Sequence, residues 1–261
     1  MEDSAAKPGV QLAGVREMLL PVTVAISFVL YYFAELPFGV IVAIAVPMVL
    51  LYLLAPSWGA RSLASFDRDV VALLASGRRR DLRGRFAIAV GMRLFSPPAL
   101  VAERRGMVAA ESDRPREAWV GYRSAMLEYG KGAPLRVLLG YAHASYALGE
   151  DGEAIRVYRE LLEGAGQLPG VQRNLAHCLV RRGESVREAL ELLDRVRGQS
   201  EDPQRRAELE MVRALAHAKL GELERADELL EKQAELEGEL AESIREEIRQ
   251  TRAGGTAPRA D

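Results

Sequence analysis

The chain has 261 residues, 49% of them hydrophobic and 28% charged, with a formal net charge of −2, one cysteine and three histidines. One cysteine excludes an internal disulfide framework, and near-balanced charge with arginines not interleaved with aromatics argues against nucleic-acid binding. No HExxH, CxxC, Walker loop or strand-to-helix GxGxxG occurs, so the sequence reads as a non-enzyme, with no catalytic residues, no metal and no cofactor.

Residues 1–16, MEDSAAKPGVQLAGVR, show no apolar period and read as a mobile N-terminal tail. From Met18 to Ala55 the only ionisable acid or base is Glu35. The apolar stretches on either side of it would make helices of roughly 25 and 30 Å, against a hydrocarbon core of about 30 Å. Glu35, Pro37 and Gly39 coincide between them, so residues 17–56 are expected to form a transmembrane helical hairpin turning at 35–39, with a kink at Pro47. A cleaved signal peptide is the rival for the first span, opposed by two leading acids and by the second span that follows at once. Tyr31, Tyr32, Tyr52 and Trp58 lie near the ends, where amphipathic rings favour the headgroup layer. Lys7 and Arg16 precede the hairpin and Arg61, Arg68 and Arg78-Arg79-Arg80 follow it, which places both termini on the cytoplasmic side. The near absence of lysine fits a GC-rich bacterial genome, so the expected location is a bacterial cytoplasmic (inner) membrane.

Residues 57–98 read as juxtamembrane helices, RSLASFDRDVVALLASG and DLRGRFAIAVGMRLFSPP, about a turn at Gly77 to Asp81: a degenerate repeat. Positions 56–105 hold ten arginines against Asp67, Asp69, Asp81 and Glu103, whereas positions 207–251 hold 6 basic and 13 acidic residues. Arg78, Arg79 and Arg80 are therefore candidates to face anionic lipid, worth around 1 kcal/mol each when close to the surface; an ordinary solvated helix face is the alternative.

Residues 99–238 repeat. Gly149 precedes Ala154 by five, Gly221 precedes Ala226 by five, Gly183 precedes Ala189 by six, and Asp113 stands in the glycine's place before Ala118. The alanines at 118, 154, 189 and 226 are spaced by 36, 35 and 37, a period of helix pairs. With Ala142, Tyr158, Leu175, Ala176, Leu193, Ala214, Leu230, Gly106, Tyr122, Ala125 and Pro134, this pattern resembles the tetratricopeptide repeat (TPR) family. The tryptophan expected early in the first helix is replaced by Ala102, Leu138, Gln172 or Glu210. The resemblance implies an all-α fold: an α-solenoid of about four to five TPR-like helix pairs after the hairpin. Residues 239–252, with Leu240, Ile244 and Ile248 at i, i+4, i+8, read as a capping helix, and 253–261 as a disordered tail.

In the resembled family the first helix of each unit lines a concave groove. Carried over residue by residue, the central positions are Arg136, Leu139, His143 and Tyr146, then Gly170, Arg173, His177 and Val180; outer units offer Glu103 and Met211 among others. The resemblance thus implies a partner-binding groove at Arg136, Leu139, His143, Tyr146, Arg173 and His177, suited to a protein segment with acidic or apolar groups, with Arg136 and Arg173 donating to carboxylates. Cys178 beside His177 points about 100° away from it and reads as a buried hydrophobe. The function expected is a membrane-anchored scaffold or adaptor for a cytoplasmic protein partner, with membrane lipids met through the hairpin. The alternative is a structural subunit of a larger membrane complex in which the hairpin makes the main contacts. Two spans followed by repeats also resemble the HemY-type arrangement.

Overall fold

The computed structural model describes residues 38–253 apart from 167, 200–201 and 234–235, together with a few helical residues between 21 and 28; side chains at 38, 41, 44, 45, 52, 165 and 239 are not described. Among the described residues there is helix and no strand. We number the helices α1 (Phe38–Ala75), α2 (Leu82–Ile88), α3 (Val90–Phe95), α4 (Pro98–Glu111), α5 (Pro115–Tyr129), α6 (Leu135–Ala147), α7 (Asp151–Ala165), α8 (Pro169–Arg182), α9 (Val186–Arg197), α10 (Pro203–Lys219), α11 (Leu223–Lys232) and α12 (Glu239–Ala253). They divide into two compact units, Met1–Gly140 and Tyr141–Asp261, the division falling inside α6.

The repeat is written most plainly in the turns. Gly77, Asp113, Gly149, Gly183 and Gly221 all have left-handed backbone, with φ of 71°, 53°, 74°, 67° and 82°. Each donates its N–H three residues back, and the following residue donates five back, as in Gly149 to Tyr146 O (3.1 Å) and Glu150 to Ser145 O (2.9 Å). This is the Schellman closure of a helix, which satisfies carbonyls the helix leaves open and requires a left-handed residue where glycine carries no Cβ penalty. Asp113 therefore does occupy the glycine's place, and Gly77 brings residues 57–98 into the same series. The turn at Gly183 carries an additional left-handed residue, Ser185 (φ 46°), which accounts for its extra length. Five residues after Gly77, Asp113, Gly149 and Gly221, and six after Gly183, the second helix buries Leu82, Ala118, Ala154, Ala226 and Ala189, each 0% exposed.

Small residues set the closest approach of paired helices. A Cβ on Gly121 would lie 2.5 Å from the Gly106 backbone nitrogen, so α4 and α5 meet glycine on glycine. Around α1 to α4, Phe66, Val70, Leu82, Ala89, Met92 and Val108 form one buried cluster, with Phe86 edge-on to Phe66 at 5.9 Å between centroids. In the second unit, α12 buries Ala241, Ile244 and Ile248 and pairs Glu247 with Lys219 at 2.9 Å, so its apolar stripe is covered as a cap requires.

The N-terminal expectations fare differently. Among the described residues no helix is long and apolar enough to cross a membrane. The 1–16 tail, most of the first span, Glu35 and Pro37 lie outside the described residues, as does the tail after 253. The second span is helical, but α1 runs unbroken through Pro47 and Pro56 into the segment that the sequence separates at position 57. Beyond Pro56, Gly59 lets α1 lie directly on the Phe95 carbonyl, where a Cβ would approach to 2.4 Å, and Ser96 Oγ donates to Gly59 O at 3.2 Å. That packing holds the helix together past a residue that removes only one rung of its ladder.

Candidate functional site

In the second unit the polar side chains gather where α6, α7 and α8 meet. Tyr146 and His177 lie 2.6 Å apart through the phenol oxygen and Nδ1. Burial, reinforced by the Arg181 and Arg173 charges, pushes the His177 pKa down to about 3. The ring is therefore neutral, one nitrogen carrying the proton and the other accepting, and the phenol and Nδ1 share a hydrogen bond. Arg181 lies over the Tyr146 ring at 5.0 Å, donates to Tyr146 O at 3.3 Å and pairs with Asp151. Next to this, Asn174 donates to the Tyr158 hydroxyl at 3.3 Å, and His143 tilts against the Tyr158 ring at 6.0 Å. Burial raises the Tyr158 phenol well above its ordinary value.

These placements sort the expected groove residues. His143 is exposed, Tyr146 and Arg173 are half-buried, and His177 is buried at 6% exposure, so it supports Tyr146 and presents no free face. Arg173 is held loosely: its nearest carboxylate, on Glu208, is 3.9 Å away. Cys178 is 0% exposed and its thiol is pushed up to about 12, first by burial and then by Asp151. A protonated, enclosed thiol is a poor nucleophile. Among the described residues no cluster of histidine, cysteine and carboxylates is arranged to hold a metal ion.

The first unit holds Arg136 and half-buried Leu139. Arg136 is exposed, yet one edge of its guanidinium, Nε and Nη2, donates to both oxygens of Glu103, at 2.5 and 3.1 Å. Glu103 is 3% exposed and also accepts from Arg104 (2.6 Å) and Tyr129 (3.0 Å), while Arg104 forks onto Asp67 at 2.7 and 2.9 Å. Burial alone would raise the Glu103 pKa; hydrogen bonds from Arg136 and Tyr129 and the charges of Arg104 and Arg136 outweigh it and hold it below the ordinary value. Arg136 therefore spends its donors inside the unit.

Arg78, Arg79 and Arg80 form the turn after α1 and are exposed. Arg78 pairs with Asp81 at 2.6 Å and Arg79 approaches Glu111 at 3.8 Å. Arg79 and Arg80, with Arg83 and Arg114, border a shallow depression of about 360 Å³. Asp151, Arg181 and Asn174 were not singled out from the sequence. The signal was there for the first two: Asp151 follows one turn glycine by two, and Arg181 precedes the next by two.

No family model and no curated protein matches the sequence. Among solved structures, PilW, a widely conserved type IV pilus biogenesis factor, is similar at a TM-score of 0.53 and 14% identity, over 88% of this chain and 98% of that one. A tetratricopeptide repeat protein from Parabacteroides merdae superposes at a TM-score of 0.41 and 15% identity, over 91% of this chain and 98% of that one. At such identity the likeness to PilW bears on the fold alone: among the described residues, an all-helical array of helix pairs.

Proposed function

We propose that the chain is a non-enzymatic scaffold tethered to a bacterial cytoplasmic membrane, with its repeats on the cytoplasmic side. On this reading the second unit docks a partner segment bearing a carboxylate flanked by apolar side chains. The observation that carries the reading is the contrast in arginines: among the described residues Arg173 has no carboxylate closer than 3.9 Å, and it stands with exposed His143 and half-buried Tyr146. A partner carboxylate closing to hydrogen-bond distance would gain a charge-assisted bond that the free protein lacks. The tether is supported by α1 itself. Residues 38–55 contain no acid or base, and Val40, Val42, Val46, Val49, Leu50, Leu53 and Leu54 are exposed. A face of that kind is unstable in water and settled in lipid.

A photocrosslinking residue placed at position 143 of the full chain in cells tests the docking. One discrete product is expected, abolished by Arg173→Glu and retained by Arg187→Glu on exposed α9 surface. A product that survives Arg173→Glu, or that forms equally from exposed position 120, overturns it. Recovery of the chain in the soluble fraction after alkaline carbonate overturns the tether. The exposed α1 face also suits the subunit reading, in which the hairpin contacts other membrane proteins. Exchange of residues 1–56 for an unrelated anchor separates the two, since only the scaffold keeps its crosslink.

A further inference from the structure

If α1 enters lipid through its apolar half, the heights of residues along it follow from the helical rise of about 1.5 Å per residue. Trp58 lies roughly 5 Å beyond Ala55, within a headgroup layer that is about 5 to 8 Å deep on each side of the hydrocarbon. Arg78 lies up to roughly 35 Å beyond it, several times the screening length of about 8 Å at physiological salt. With α1 along the bilayer normal, the arginine turn would stand beyond the reach of anionic headgroups.

Another part of the first unit comes back to the right level. The α3 helix packs on α1, with Gly91 against Ser62 (3.1 Å to its Oγ for a Cβ) and the Phe95 carbonyl against Gly59. Phe95 stacks on Trp58 at 6.1 Å and 29° between ring planes. Met92 faces inward at 0% exposure, whereas Trp58 (57%), Val90 (53%) and Leu94 (41%) face outward, as do Pro97 and Pro98 beyond the helix end. Exposed Arg61, one turn past Trp58, makes no ion pair among the described residues. Aromatic rings, aliphatic side chains and an unpaired cation at one height, continuous with an exposed apolar helix, match the chemistry of an anionic headgroup layer.

We propose that the corner between α3 and α4, Leu94 to Pro98, together with Trp58, rests in the headgroup layer as a second membrane contact. It fixes how the first unit stands on the bilayer. The inference rests on the tether, and the test separates the two. Full-length chain carrying Cys178→Ala and a single fluorophore-labelled cysteine at Leu94 is reconstituted into phosphatidylcholine–phosphatidylglycerol vesicles, with the same label at Arg80 as reference. Headgroup spin-labelled lipid is expected to quench the Leu94 label several-fold more than the Arg80 label, at every protein-to-lipid ratio. In a Trp119→Phe chain, whose sole tryptophan is Trp58, brominated lipid is expected to quench the tryptophan emission. Chain that floats with the vesicles while its Leu94 label is quenched no more than the Arg80 label overturns the contact but leaves the tether. A Leu94 label shielded from water but untouched by spin-labelled lipid means that protein covers the corner, and also overturns it. Chain that does not float overturns both.

Discussion

In the first unit a buried carboxylate, Glu103, is closed in by two guanidiniums and a phenol, and it consumes the donors of Arg136. In the second unit the buried centre is a neutral ring, His177, served by Tyr146, and the nearby Arg173 keeps its charge largely unspent. Arg136 and Arg173 stand on the groove-lining helices of successive repeats, though at different positions, Arg136 matching Gly170 and Arg173 matching Leu139, and they end in opposite conditions. The difference teaches that a repeat position presents a cation to a partner only if no carboxylate from a neighbouring helix reaches it first. The first unit is built to stay shut, and the second retains an unfilled electrostatic demand.

The sharpest way to break the comparison is Glu103→Ala. Removing one member of a buried charged cluster costs about 3 to 5 kcal/mol. The low end, about 3 kcal/mol, is expected here because Arg136 can turn to solvent and Arg104 keeps Asp67; urea unfolding of the detergent-solubilised chain measures it. Gly121→Ala comes next. Its Cβ would press on the Gly106 backbone, which cannot rotate away as a side chain can, so a loss of about 2 kcal/mol is expected by overpacking.

Acid separates the two units. The His177 pKa is lower in the folded chain, about 3, than its ordinary 6.5, so the unfolded chain binds the extra proton between those values. Its contribution is full above pH 6.5 and is lost as pH falls toward 3, at about 1.4 kcal/mol per pH unit where steepest. The Glu103 contribution is full above its ordinary value of 4.5 and is lost only as pH falls below that. Hydrogen exchange between pH 7 and 5 should therefore loosen α6 to α8 around Tyr146 before α4, and His177→Gln should flatten that response. Equal loosening of both regions would remove the distinction. The smallest effect is a gain. Asp113 holds a left-handed backbone that glycine adopts freely, so Asp113→Gly should stabilise the first unit by about 0.5 to 1 kcal/mol, seen as a higher urea midpoint.

The sequence by itself determined the helix pairs, because the constraints behind them are local. A Schellman turn needs glycine or a tolerated substitute, a close crossing needs a small residue, and a cap needs one apolar stripe; Gly149, Ala154 and Ile244 satisfy these within a few neighbours. The turn at Gly77 and the buried Leu82 after it follow the same local rules. What only the tertiary structure decided are pairings between residues far apart in the chain. Glu103 finds Arg136 across 33 positions and Tyr146 finds His177 across 31, and neither choice is encoded in the spacing of one helix. The sequence divides the chain at position 57, yet α1 continues through Pro56, and α3 packs against Gly59 just beyond it. Local chemistry drew the repeating unit; packing between units of sequence decided which charges remained to be offered.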